Sequence, residues 1–450
     1  MRIWERFKNK ISFGTRSGLL VLNVIASFTL KGWAALIVFI MTPLTLECLG
    51  EYKNGVWLTV SSLLLWIDQM DIGLGNGLRN KLAIYIAQGN KIGARKIVSS
   101  TLAMLICIMV PVLVALSVLI WYGDIYTFLN VNPQIIPELR ITLLSAVILV
   151  CMTFVLKFIG NVYMGMQLPA ANILITTLGS TLGLLGTWLL YISDHATFLY
   201  IVVLNTAAPL FVYLLAYPYT FYIKFKELRP AWSHVNLRTA AELGNVGLKF
   251  FWLQVAAIIQ FMSANLLISN FFTPAMVTPY QIAFRYMNIV VILFNVVSMP
   301  FWNATTDAFE RNDIQWIRKA SRAMNKATFI IALCIVVMII ISPWVYKVWI
   351  GENCHVPIGI TVMMGIYIFL LVISMRYSCF LNGVGALRLQ MYMTVMAVVF
   401  IPLAWLVSSA THNIVYFMAV MCFCNIPGIV TNIIQFNKIL NKTAQGIWRI

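Results

Sequence analysis

The chain has 450 residues, of which 61% are hydrophobic and only 10% charged, with a formal net charge of +17. That balance excludes a soluble globular domain, which needs a far larger charged surface to stay solvated. The cations are scattered through short segments between apolar runs and are not gathered in a basic domain, so membrane topology accounts for the excess and no nucleic-acid partner is expected.

About twelve apolar stretches of roughly 20 residues follow one another, each long enough to cross a bilayer as a helix. A basic leader (Arg2, Arg6, Lys8, Lys10, Arg16) precedes the first, residues 17–42, which is too long for a signal-peptide core and reads as an uncleaved span. Spans two to six fall at 55–74, 98–121, 141–164, 171–192 and 198–222, and the remaining six at 248–272, 284–303, 327–350, 357–380, 390–409 and 413–434. The expected fold is an all-α polytopic membrane protein. It divides into an amino-terminal six-helix lobe (1–222), a cytoplasmic connecting loop (223–247) and a carboxy-terminal six-helix lobe with a short tail (248–450).

Loop charge sets the expected orientation, because cytoplasmic loops retain Lys and Arg. The loop after span two carries Arg79, Lys81, Lys91, Arg95 and Lys96; the loop after span six carries Lys224, Lys226, Arg229 and Arg238. After span eight, Arg311, Arg318, Lys319 and Arg322 outnumber Asp307, Glu310 and Asp313. The opposite loops hold Glu47, Glu51, Asp124, Asp194 and Glu352, so both termini are expected in the cytoplasm of a cell whose inner membrane holds the protein.

Weak internal similarity suggests that one half repeats the other. Residues 161–172 (NVYMGMQLPAAN) and 380–391 (FLNGVGALRLQM) both leave a span through a Gly-containing turn. Residues 89–100 (GNKIGARKIVSS) echo 311–322 (RNDIQWIRKASR), and each pairing implies a shift of roughly 220 residues.

Charges inside spans are the candidate functional residues. Lys31 lies near the middle of span one, where an unpaired ammonium costs ~3 kcal/mol or more, so a wet cavity or a partner is expected around it. Lys157 and Arg376 precede the two aligned turns by about two helical turns and occupy corresponding positions in the halves. Arg285 opens span eight on the outer side. The alternative for Arg140, Lys249 and Arg285 is snorkelling to the headgroups, and a tilted helix would bring Lys157 and Arg376 to the inner interface. Asp68 and Asp71, near the inner end of span two, are gating candidates together with Arg79 and Lys81, or else form structural pairs with them. A cavity lined by Lys31, Lys157, Arg285 and Arg376 suits an anionic substrate.

Other signals are weaker. Gly73, Gly75 and Gly77 lack the lysine of a nucleotide loop and read as a helix end. The eight cysteines show no zinc spacing, no metal or cofactor is expected, and Cys48 and Cys354 are not expected to pair. A membrane glycosyltransferase or polymerase needs a larger outer loop or catalytic acids, and the close outer acids here are Glu47 and Glu51 alone.

The segment 52–83, YKNGVWLTVSSLLLWIDQMDIGLGNGLRNKLA, followed by GNKIGARKIVSS, resembles the start of bacterial O-antigen flippases and related polysaccharide exporters. These belong to the multidrug, oligosaccharidyl-lipid and polysaccharide exporter superfamily, and the local match is sharpest over Asp71-Ile72-Gly73-Leu74-Gly75-Asn76-Gly77-Leu78-Arg79-Asn80-Lys81. The resemblance implies two six-helix lobes around a central cavity that carry an undecaprenyl-diphosphate-linked oligosaccharide between leaflets by alternating access. It implies proton or sodium coupling, although the sequence offers no carboxylate deep in a span. Lipid-linked oligosaccharide, membrane lipids and polysaccharide polymerase machinery are the partners it implies. A lipid II-type flippase and a multidrug exporter of the same superfamily remain alternatives, the latter disfavoured by a positive cavity if its substrates are organic cations.

Overall fold

The computed structural model describes residues 16–69, 74–236, 263–386, 388–393 and 395–448. Every regular element among them is helical: α1 (Arg16–Gln69), α2 (Leu74–Ala87), α3 (Lys91–Tyr122), α4 (Ile125–Leu129), α5 (Leu139–Leu156), α6 (Phe158–Gly165), α7 (Pro169–Ile192), α8 (Phe198–Pro218), α9 (Ser263–Phe271), α10 (Pro274–Glu310), α11 (Ile314–Ile350), α12 (Ile358–Gly383), α13 (Arg388–Met393), α14 (Val395–Thr411) and α15 (Ile414–Leu440), with short π and 3₁₀ turns between some of them. Ten stretches among the described residues are long and apolar enough to cross a membrane, and one of these, Ile25–Ile67, is 43 residues long. It is two spans in succession, because Gly50 (φ 68°, ψ 172°) breaks α1 into two limbs.

That break corrects the expected loop. Residues 43–54, read as an outer connection around Pro43, are helical apart from the single Gly50, whose positive φ costs a residue without a Cβ little. Elsewhere the chain turns at left-handed Asn130, Asp194, Asn312 and His412, and several helices start on polar side-chain caps. Asp313 accepts from the Trp316 amide at 2.9 Å, Asn90 from Gly93 at 2.8 Å and Asn413 from Val415 at 2.9 Å. The expected seventh span falls largely outside the described residues, with α9 covering its outer end.

Contacts gather the chain into two units, one drawn from Met1–Leu49 and Leu64–Phe251, the other from Gly50–Leu63 and Trp252–Ile450. In unit 1, α8 packs on α7 and α5, and α3 on α5. The first limb of α1 runs parallel to α7: Trp33 Nε1 donates to Thr181 Oγ1 at 3.1 Å, and further along both helices Tyr191 OH donates to Glu47 Oε1 at 2.7 Å. The same direction is what the first and fifth spans of a threaded bundle must share. The loops after spans two and six lie at one end of this unit, where Lys91 Nζ meets Glu227 Oε1 at 2.7 Å and Arg95 Nε donates to the Arg229 carbonyl at 2.9 Å.

In unit 2, α12 packs between α10 and α15. Phe380 and Phe436 meet edge to face with centroids 4.6 Å apart, in a cluster with Ile317, Leu381 and Leu440. At one end of this unit Arg318 Nη2 donates to Asn441 Oδ1 at 2.9 Å, joining the loop after span eight to the tail.

The limb Gly50–Leu63 is held in unit 2 by neutral polar groups. Thr278 Oγ1 donates to the Glu51 carbonyl at 2.8 Å, Asn54 Nδ2 to Thr278 Oγ1 at 3.3 Å, and Asn265 Nδ2 to the Leu58 carbonyl at 3.1 Å. Gln281 Nε2 completes the set by donating to Asn265 Oδ1 at 2.7 Å. Gly55 lets the limb approach α10 so closely that a Cβ would collide with the Pro274 carbonyl. Gly55→Ala is therefore expected to destabilise the protein by about 1–3 kcal/mol, the usual cost of overpacking, read as a lowered unfolding midpoint in detergent. An unchanged midpoint would mean that the limb does not sit against Pro274.

Candidate functional site

The expected cations divide between the units. Lys31 is exposed on the first limb of α1, two residues before Trp33, whose indole is fixed to Thr181; Thr181 in turn donates to the Thr177 carbonyl at 2.8 Å. The ammonium therefore projects from a limb braced against α7. Lys157 is half-buried at the junction of α5 and α6. Its amide still bonds the Thr153 carbonyl at 2.8 Å, but its own carbonyl takes the Gly160 amide at 2.9 Å, a tighter turn that divides the fourth span into two pieces. The sequence reading placed Lys157 on one continuous helix, and the structure places it at a bend.

Arg285 lies deeper than expected. Its helix begins at Pro274 and not near residue 284, so the half-buried guanidinium is 11 residues into α10, about 16 Å along the axis at 1.5 Å per residue. The next residue, Tyr286, anchors this level of α10 by donating to the Met338 carbonyl at 3.0 Å and packing edge to face on Tyr346 at 5.3 Å. Arg376 is half-buried in α12; its Nη2 donates to Ser321 Oγ of α11 at 3.3 Å, and its guanidinium lies 4.6 Å from the Tyr377 ring centroid.

Lys31 and Lys157 thus belong to unit 1, and Arg285 and Arg376 to unit 2. Of the four gating candidates, Arg79 is exposed on α2 and Lys81 half-buried there. Asp71 lies outside the described residues, as does the side chain of Asp68, and Lys249 falls there too. Arg140, read as an end-of-span cation, starts α5 and donates to the Gly123 carbonyl at 3.3 Å.

Charge-led reading missed the neutral polar set of Asn54, Asn265, Thr278 and Gln281. Its signal was present: three of the four residues lie in or beside apolar runs, where an amide or hydroxyl needs a partner. The set ends at Glu51, whose carboxylate lies against the Cys354 thiol; burial first, and then that carboxylate, push the thiol above its ordinary range. Cys48 and Cys354 are free thiols. Among the described residues no three His, Cys, Asp or Glu side chains gather as metal ligands.

Neither a family model nor a curated protein matches the chain. Solved structures do. The inward-facing conformation of a multidrug resistance MATE family transporter of the MOP superfamily aligns with TM-score 0.73 and 14% identity, covering 94% of this chain and 99% of that one. MATE in complex with MaD3S aligns with TM-score 0.63 at 14% identity over 94% and 96% of the two chains. The outward-facing conformation of a multidrug resistance MATE family transporter of the MOP superfamily gives TM-score 0.59 at 14% identity over 93% and 96%. The chain has the fold of these multi-pass membrane transporters.

A double-mutant cycle tests the contact between Arg376 and a side chain of a neighbouring helix. Arg376→Gln and Ser321→Ala are each expected to lower stability, with a coupling of about 0.5–1 kcal/mol between them measured from unfolding midpoints. Strict additivity would mean that Arg376 does not engage Ser321.

Proposed function

We propose that the chain is a transporter working by alternating access, and that its substrate is an amphiphile with an anionic head of the undecaprenyl-diphosphate-oligosaccharide kind. The observation that carries the anionic assignment is the sign of the charge in the spans. Lys31, Lys157, Arg285 and Arg376 lie within them, whereas the carboxylates of the described residues sit at helix ends, at the Gly50 break or in loops. An ammonium at the depth of Lys31 is costly unless something compensates it, and a diphosphate is a compensating ligand. Lys offers it a point charge and Arg a forked pair of donors. Sugars and diphosphate lose their hydration in hydrocarbon, so a path that replaces water with protein groups is the entire requirement, and no covalent step is needed.

Transport itself draws support from the shared fold. That fold also supports a second reading, a multidrug exporter, because the structural neighbours are multidrug transporters. The described residues place cations and not carboxylates within the spans, and on that ground the anionic substrate is preferred over an organic cation. We place the basic loops and both termini in the cytoplasm of the inner membrane, following the positive-inside rule.

The reading predicts that Lys31→Ala lowers delivery of lipid-linked sugar to the outer leaflet by about tenfold, the equivalent of ~1.4 kcal/mol of lost binding, while Lys31→Arg keeps most of it and the exposed loop variant Lys442→Ala leaves it unchanged. Surface labelling of the sugar in cells with equal membrane levels of each variant measures this. Normal delivery by Lys31→Ala, Lys157→Ala and Arg376→Ala alike would remove the cationic path.

A further inference from the structure

The segment after α8 does not leave the protein as a free loop. Residues 219–224 form a π-helical turn, and the chain then folds back across the start of α3. Ser99 Oγ accepts from the Ala231 amide at 3.1 Å, and Ser100 Oγ accepts from the Asn236 amide at 2.9 Å. Beneath this strap is a cavity of about 230 Å³ lined by Ser99, Leu102, Ala103, Tyr217, Pro230 and Trp232, among others.

Its rim is cationic. Arg95 is tied to the Arg229 carbonyl at 2.9 Å, and the Arg229 guanidinium lies 4.2 Å from the Tyr222 ring centroid. Glu227, the acid of this segment, is engaged by Lys91 Nζ at 2.7 Å. Tyr219, Tyr222 and Trp232 are exposed beside the two arginines, Trp232 to 76%. Amphipathic rings of this kind settle at headgroup depth.

Depth agrees with that chemistry. The 32 residues of α3 span about 48 Å, against roughly 30 Å of hydrocarbon. With the helix centred in the bilayer, Arg95 lies about 17 Å from the midplane, at the headgroups, and Ser99 about 11 Å from it, just inside the hydrocarbon. A ligand fitting both zones has an anionic phosphate above and methylenes below. The geometry points to a binding site for an anionic phospholipid of the adjoining leaflet, with its phosphate between Arg95 and Arg229 and the start of one acyl chain in the cavity beside Leu102, Tyr217 and Trp232. This proposal does not depend on which substrate is carried.

The test uses the full chain in neutral detergent, titrated with phosphatidylglycerol, phosphatidylcholine or inorganic phosphate and followed by thermal unfolding and native mass spectrometry. Phosphatidylglycerol is expected to raise the unfolding midpoint and to be retained, phosphatidylcholine to do so weakly, and phosphate not at all. Arg95→Gln combined with Arg229→Gln should weaken phosphatidylglycerol retention about fivefold, the effect of ~1 kcal/mol at a partly exposed site. Equal retention by wild type and the double variant would overturn the site, and stabilisation by inorganic phosphate alone would overturn its assignment to a lipid. Should the double variant fail to fold, quenching by phosphatidylglycerol brominated near the top of its chains decides: Trp232→Phe must remove part of the quench, and an unchanged quench contradicts the proposal.

Discussion

Hydrocarbon offers no hydrogen bonds, and the rest of this structure follows from that constraint. Each polar group in a span must find its partner inside the protein, reach the headgroups, or wait for a ligand. Hydroxyls take the first course locally: Thr42, Thr101, Thr206 and Thr328 donate to carbonyls four residues earlier at 2.7–2.9 Å. Amides take it across helices, as Asn265 and Gln281 do. End-of-span cations take the second, like Arg140 on the Gly123 carbonyl. Lys31, exposed and well inside its span, is a group to which the proposed function assigns the third course.

The same constraint explains what was legible in the sequence. Span number and fold class were readable because about 20 apolar residues in a row have few other uses. The shared end of the loops after spans two and six was readable from their charge, and the structure ties them together through Lys91, Glu227, Arg95 and Arg229. Connections were not readable. Pro43, Glu47, Gly50 and Glu51 have the composition of an outer loop, yet one glycine at positive φ makes the whole break and the remainder stays helical. Arg285 was misplaced by about three turns because hydropathy places the start of a span by composition, and the polar residues Thr278 and Gln281 ahead of it hid the helix. The Thr278 hydroxyl is paired across to the Gly50–Leu63 limb and the Gln281 amide to Asn265 of α9, something no single-helix window reveals.

The limb Gly50–Leu63 has a place in the proposed cycle. One helix contributes residues to both units, and its Gly50–Leu63 limb is fixed to α10 by two hydrogen bonds and the close approach at Gly55, and to α9 by a third hydrogen bond. Neutral bonds of this kind hold a membrane interface at about 0.6–2 kcal/mol each, firm together and individually exchangeable. Packing of this limb on its neighbours is left to a small residue and neutral polar groups.

The central claim is that cations within a MATE-type fold select an anionic amphiphile over an organic cation. It is tested most directly by reconstituting the purified chain in liposomes that carry a fluorescent undecaprenyl-diphosphate oligosaccharide and, in parallel, a lipophilic organic cation. Protein-dependent exposure of the sugar to an impermeant glycosidase, abolished by adding excess undecaprenyl diphosphate and indifferent to the organic cation, is the predicted result. Accumulation of the organic cation, with the lipid-linked sugar confined to its original leaflet, would contradict the account.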